Sequence, residues 1–267
     1  MTQLLISVKN VEEALIALTQ GVDIIDLKDP EVGALGALDI DTTAQILQLI
    51  QQHRHISSNQ TNVLTSATVG ENHANLNTLF SAISARAKMG IDLIKIAVSG
   101  KIFDENLADN WISQPIFNRV GVNPRVMTNF ELLNVKLVAV FFADQLIDFS
   151  LLEKLKGAGF YGAMLDTSMK HQNLLDICTK QTLQNFTQTC HKNDLESGLA
   201  GSLKPQHIEY LMDIKPRYVG FRGGVCEGEV RKNALAPHKI IHVKKLLHEH
   251  NKFNGIAHKS SNLALHS

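Results

Sequence analysis

Short apolar and β-branched runs alternate along the chain with stretches in which apolar residues recur at helical spacing. Eight runs predict strands: Gln3 to Ser7, Asp23 to Lys28, Asn62 to Val69, Asp92 to Val98, Lys136 to Phe142, Tyr161 to Asp166, Ser197 to Ser202 and Tyr218 to Arg222. Strands that alternate with helices pair in parallel, and eight such units close into a (β/α)8 TIM barrel, an α/β fold. Between the first two strands, Val11 to Thr19 places Val11, Ala14, Leu15 and Leu18 on one helical face, with Gly21 as a stop. A second helix is expected over Thr43 to Gln52 with Asp41 as its N-cap, and a third over Asn75 to Met89, closed by Gly90. Ser99 to Asn134 exceeds a minimal βα connection and holds Pro115 and Pro124, which predicts a broken helix or an excursion. Ile240 to His248 reads as a closing helix, and Asn251 to Ser267 as a polar, patternless, disordered tail. The organisation expected is one catalytic barrel over residues 1–250 and a tail over residues 251–267.

Composition narrows the partners. The 267 residues suit a single barrel, which commonly uses about 250. With 26 basic and 26 acidic residues the charges cancel, so no global field draws nucleic acid or a membrane surface. Three tyrosines and one tryptophan give little material for base stacking. The stretch Met1 to Ser7 lacks a basic segment followed by a long apolar one, and no run approaches the ~18 apolar residues of a membrane span, so a cytoplasmic location is expected. Cys178, Cys190 and Cys226 are too few and too unevenly spaced for a disulfide framework or a zinc ribbon, and read as reduced thiols. His53 and His55 close a polar helix-like run, where a solvated surface is the ordinary explanation. Neither a metal nor a nicotinamide cofactor is expected, because no ligand cluster and no Gly-x-Gly-x-x-Gly turn after the first strand occurs. Small molecules are the expected partners, and assembly into a homo-oligomer stays open.

Reactive groups of such barrels sit at the C-terminal ends of strands. Period two puts Asp26 and Lys28 on one face of their strand and Ile25 and Leu27 on the other, so Asp26 and Lys28 point inward if the aliphatic pair packs on helices. Lys95 interrupts the apolar run Leu93-Ile94-Lys95-Ile96-Ala97, and an unpaired ammonium there is costly, so it needs a partner or a task. Asp166 ends the sixth strand, and Lys170 follows where a loop can turn back over the barrel mouth. Strands two, four and six contribute to the same interior layers, so Lys28, Lys95 and Asp166 can converge. Clustered lysines in a partly dry site favour a neutral amine, which attacks a carbonyl to give an iminium while carboxylates and a second lysine move protons. The alternative is an ion-pair network, Asp26 with Lys28 and Asp166 with Lys95, that merely fills the barrel. Spacing alone does not choose between Lys28 and Lys95 as the nucleophile.

Strands seven and eight run into glycine-rich turns, Ser197 to Lys204 and Gly220 to Gly224, where such barrels often hold phosphate. Gly201, Ser202, Gly223 and Gly224 would present backbone N–H groups, and Arg222 would supply charge. Arg231 could add to it, although a surface role suits a residue beyond the strand end equally well. Asp29 to Ala37 is either an ordered active-site loop or a plain turn, and Glu71 reads as a solvated loop carboxylate.

These motifs, taken in order from about Leu4 to Leu235, resemble the (5-formylfuran-3-yl)methyl phosphate synthases, also called 4-(hydroxymethyl)-2-furancarboxaldehyde-phosphate synthases. The most specific matches are Asp26-Leu27-Lys28-Asp29-Pro30, Gly33 to Ala37, Ser66 to Gly70, the strand around Lys95, Leu165-Asp166-Thr167 with Lys170, Gly198 to Leu203 and Gly220 to Gly223. The resemblance implies a lyase-type synthase that condenses two glyceraldehyde 3-phosphate molecules into a phosphorylated furan aldehyde, with loss of phosphate and water, for a methanofuran-type coenzyme of one-carbon metabolism. It further implies Lys28 as the Schiff-base lysine and Lys95 as proton acceptor, assisted by Asp26, Asp166 and Lys170. His171-Gln172-Asn173 departs from the Asp-Gly-like turn of that family, so the pocket rim is expected to differ. A class I aldolase on another sugar phosphate and a noncatalytic phosphate-sensing barrel are the rival expectations.

Overall fold

The structure is a computed structural model that describes residues 1–56, 63–71, 73–98, 135–145, 147–169 and 171–263. Its strands are β1 (Gln3–Val8), β2 (Ile24–Leu27), β3 (Leu64–Thr68), β4 (Leu93–Ala97), β5 (Lys136–Phe142), β6 (Gly162–Asp166), β7 (Glu196–Leu199) and β8 (Tyr218–Phe221). Each pairs in parallel with the next, and β8 closes on β1 through Gln3–Tyr218 to Ile6–Phe221, giving a closed eight-stranded barrel. All eight strands lie within the runs expected from apolar patterning or extend one residue beyond them. The excursion anticipated over Ser99 to Asn134 lies outside the described residues.

Alternation along each strand separates two apolar groups. Ile6, Ile25, Leu27, Ile94, Ile96, Phe141, Leu165 and Phe221 point outward and pack under the helices. Leu5, Ile24, Leu93, Val138, Met164 and Tyr218 fill the barrel interior. Two residues further along their strands, Leu5, Ile24, Leu93 and Met164 give way to Ser7, Asp26, Lys95 and Asp166, all buried. A polar layer therefore rests on an apolar floor at the C-terminal end of the barrel, the end where such barrels carry their chemistry.

The helices are α1 (Val11–Thr19), α2 (Ile40–Ile56), α3 (Leu76–Lys88), α4 (Leu151–Gly157), α5 (Leu174–Ile177), α6 (Lys180–Lys192), α7 (Ile208–Ile214) and α8 (Pro237–Leu263). On α1 the buried face is Glu13, Ala14, Ala17 and Leu18, while Leu15 is 46% exposed. The face expected from apolar residues is thus rotated, because a buried acid takes the place of an aliphatic contact. On α2 the start is set by Asp39, whose carboxylate accepts from the Thr42 N–H at 2.8 Å. Asp41 lies within the first turn and is not the cap. α3 follows expectation: Asn75 and Thr78 form a capping box, and Met89 caps the C-terminal end. α8 continues past the expected end at His248 to Leu263, so residues 251–263 of the segment read as a disordered tail are helical. Asn251 accounts for part of this, because its side chain accepts from the Thr2 N–H and donates to the Thr2 carbonyl, both at 3.0 Å.

Candidate active site

Asp26, placed inward by the pleat of β2, is fully buried, and its Oδ2 sits 2.6 Å from Lys95 Nζ of β4. Ser7 of β1 donates to the same oxygen at 2.8 Å. Lys28, immediately after β2, has its Nζ 3.5 Å from Asp166 Oδ2 at the end of β6. Asp166 Oδ1 accepts from the Thr167 N–H at 2.7 Å, which fixes the carboxylate over the barrel. Both lysines pair across strands, so the partners are the reverse of the Asp26–Lys28 and Asp166–Lys95 pairs expected if the charges merely filled the core. The convergence of strands two, four and six is as anticipated.

The surroundings of Lys95 leave it 3% exposed. Burial pushes its ammonium pKa down, the Lys28 charge adds to that, and Asp26 opposes it, with the net shift downward. Lys28 and Lys95 both line a cavity of about 700 Å³ that opens at the C-terminal end of the barrel. Asp166, Gly201, Ser202, Gly223, Gly224, Arg222 and Arg231 also line it. Lys170 lies outside the described residues.

The two glycine-rich turns meet over this cavity. Gly201 has φ +110°, and a Cβ there would stand 3.0 Å from the Thr167 nitrogen, so the β7 turn needs glycine to lie against the β6 turn. At Gly224 a Cβ would meet the Leu203 carbonyl oxygen at 2.2 Å, so glycine lets the β7 and β8 turns touch. Ser202 itself adopts φ +50°. The charge expected from Arg222 is committed elsewhere. Its guanidinium forms a two-pronged pair with the buried Glu13 carboxylate and donates to the carbonyls of Ser7, Arg231 and Asn233. These contacts occupy the guanidinium fork, so Arg222 braces the β8 turn against α1 instead of offering its charge to the cavity. Arg231, weighed as a surface residue, is half-buried on the cavity wall and donates to the carbonyls of Pro30 at 2.7 Å and Gly33 at 2.6 Å.

Those last contacts belong to a loop that is ordered rather than a plain turn. Asp29 N–H donates to the Gly36 carbonyl at 2.9 Å, and Thr68 Oγ1 donates to it at 2.8 Å. Ala34 and Leu35 enter the interior apolar group. Glu71 is not a free surface carboxylate, since it accepts from the Leu35 N–H and holds the loop down. Three further residues escaped sequence reasoning: Ser7, Glu13 and Asp144. Asp144, after β5, accepts from the Ser168 N–H and Oγ and from the Met169 N–H, tying down the turn that follows Asp166. Of these, Glu13 left a signal, a carboxylate within the face of α1 that must meet the barrel. The other two are ordinary polar residues at strand or loop positions.

Comparison with known proteins supplies the context for this geometry. The family model described as 4-HFC-P synthase matches residues 4–244. A Methylorubrum extorquens protein, provisionally named a (5-formylfuran-3-yl)methyl phosphate synthase, is 35% identical over 234 residues, 87% of this chain and 86% of its own length. The (5-formylfuran-3-yl)methyl phosphate synthase of Methanocaldococcus jannaschii is 31% identical over 246 residues, covering 89% of this chain and 96% of its own. Among solved structures, phosphoribosyl anthranilate isomerase from Thermus thermophilus superposes with a TM-score of 0.58 at 10% identity, covering 93% of this chain and 99% of that one. At that identity the likeness speaks for the barrel alone.

Proposed function

The chain belongs to the 4-HFC-P synthase family, and we propose that it condenses two glyceraldehyde 3-phosphate molecules, one as its ketose isomer, into (5-formylfuran-3-yl)methyl phosphate. One phosphate and two water molecules balance the product, which would serve synthesis of a methanofuran-type coenzyme. The observation that carries this is the pair of cross-strand contacts, Lys28 with Asp166 and Lys95 with Asp26, at the floor of one cavity.

Lys28 stands at the strand end with the longer contact, so its Nζ is the one that a carbonyl carbon entering from the mouth meets. Asp166 can take its proton and release a neutral amine. The amine attacks, the carbinolamine loses water, and the iminium draws electrons from the adjacent carbon. Lys95 lies deeper, and its lowered pKa suits it to accept the proton from that carbon, with Asp26 and Ser7 holding the amine in place. The turns at Gly201, Ser202, Gly223 and Gly224 would receive a substrate phosphate on backbone N–H groups. Lys170 would assist from the β6 turn.

Purified protein incubated with glyceraldehyde 3-phosphate should yield a furan aldehyde phosphate by mass spectrometry. A sugar phosphate without the furan would replace this proposal with an aldolase. No turnover combined with phosphate binding would leave only a sensing barrel.

A further inference from the structure

The reaction proposed above brings two phosphate dianions into one cavity, and the glycine turns account for one of them. The cations on the cavity wall differ in what they still have to give. Lys28 and Lys95 face Asp166 and Asp26, Arg222 is held by Glu13, and Lys204 Nζ is 2.8 Å from Glu229. Among the described residues, Arg231 is the cavity-lining lysine or arginine that forms no ion pair. Its two backbone acceptors, the carbonyls of Pro30 and Gly33, are neutral and engage Nη2 alone. They orient the guanidinium plane without cancelling its charge, and leave three N–H donors on Nε and Nη1. The loop that orients it follows Lys28 directly and is pinned in turn by Glu71 and Thr68. Asp166, Glu31 and Glu71 act on Arg231 through space without pairing with it, so a half-buried guanidinium with open donors lines the same cavity as the amine that would hold the substrate, and makes a built anion site.

We infer that Arg231 forms a second phosphate site, distinct from the glycine turns, that receives the phosphate lost in furan formation. This rests on the synthase proposal for its chemistry. In the iminium, a proton leaves the carbon next to the C=N carbon. That C–H pair forms a carbon–carbon double bond as the C–O bond to the neighbouring phosphate breaks. Phosphate departs with the bonding electrons, and Arg231 balances the charge that develops on it.

Titration of the wild-type protein with inorganic phosphate should show two binding events, and Arg231→Gln should show one. With glyceraldehyde 3-phosphate, Arg231→Gln should form furan about 10²-fold more slowly at saturation, the scale of losing one preorganised donor at developing charge. Borohydride trapping of Lys28 should persist, because the iminium precedes the step that Arg231 serves. Arg231→Lys keeps a charge while losing the clip on Pro30 and Gly33, and should recover phosphate binding in part. A single phosphate in the wild-type protein, or an unchanged second site in Arg231→Gln, overturns the inference. So does equal loss of turnover in both variants with both phosphates still bound, since that marks a loop clip alone. Failure of the wild-type protein to make furan counts against the synthase proposal instead, and leaves the phosphate stoichiometry to judge Arg231 separately.

Discussion

Lys95 is sealed among strands with its ammonium 2.6 Å from Asp26, whereas Lys28 stands at the strand end, 3.5 Å from Asp166. That contrast separates the two lysines experimentally. Lys28→Arg keeps a cation but cannot form an iminium, so it should abolish both turnover and sodium borohydride trapping of triose phosphate. Lys95→Arg should keep a trappable Lys28 adduct while turnover falls by about 10²–10⁴-fold, the usual contribution of one proton-transfer group. Peptide mapping decides between them, and an adduct found on Lys95, surviving in Lys28→Arg, would exchange their roles. The pH profile gives an independent handle. Burial lowers the Lys95 pKa, so the residue sheds its proton at a pH below that of a free lysine, which is about 10.4. A rate that needs neutral Lys95 therefore rises with pH along a limb below that value. If the acid limb of kcat were unchanged in a Lys95 variant with residual activity, the limb would belong to another group.

At the scale of elements, the turns at the barrel mouth are held by different devices, and substitutions should sort accordingly. A Cβ at Gly223 would find its nearest neighbours at 3.5 Å or beyond, so Gly223→Ala should fold normally. If phosphate lies on the β8 turn, KM should rise roughly tenfold or more, matching the ~1.5–3 kcal/mol of a hydrogen bond to a charged group. Gly201→Ala should instead lower the melting temperature as well, because its φ and the Thr167 backbone leave no place for a methyl group. Normal kinetics in Gly223→Ala would remove the phosphate from that turn. Asp144→Ala should speed amide hydrogen exchange at Ser168 and Met169 with little change in melting temperature, since among the described residues its carboxylate bonds to the turn after Asp166. The strands were legible in the sequence because a barrel strand is a short apolar run whose period-two pattern also places the inward polar residues Asp26, Lys95 and Asp166. Helix faces were less so. On α1 a buried Glu13 displaces Leu15 to the surface, and nothing local announces the Arg222 partner, 209 residues away. The same long-range pair reassigns Arg222 from ligand to brace. Arg231 stayed open between cavity and surface for the converse reason: its position past the strand end says surface, while the Pro30 and Gly33 carbonyls draw it into the cavity.

For the whole molecule, the closed barrel must join its first strand to its last, and Thr2 and α8 meet at that seam. β1 pairs with β8, the Gln3 N–H donates to the Arg217 carbonyl at 2.8 Å, and Thr2 Oγ1 donates to the Pro216 carbonyl at 2.8 Å. Asn251 then clasps both backbone groups of Thr2 from α8, so the closing helix is tied to the opening strand by one side chain. Asn251→Ala removes two hydrogen bonds, worth about 1–3 kcal/mol together, with the lower figure favoured because the contact is only part-buried. A barrel of this size should then melt roughly 2–4 °C earlier per kcal/mol. The seam lies at the N-terminal end of the strands, opposite the cavity, so kcat and KM for the triose phosphate should stay at wild-type values. Asn251→Asp keeps the acceptor and loses the donor, and should fall between the two in melting temperature. A variant that melted like wild type would show that α8 is held by its apolar contacts, Ile240, Val243 and Leu247, without help from the clasp. Loss of activity at unchanged melting temperature would mean that the two ends of the barrel are coupled, against the separation of stability from catalysis between its two faces.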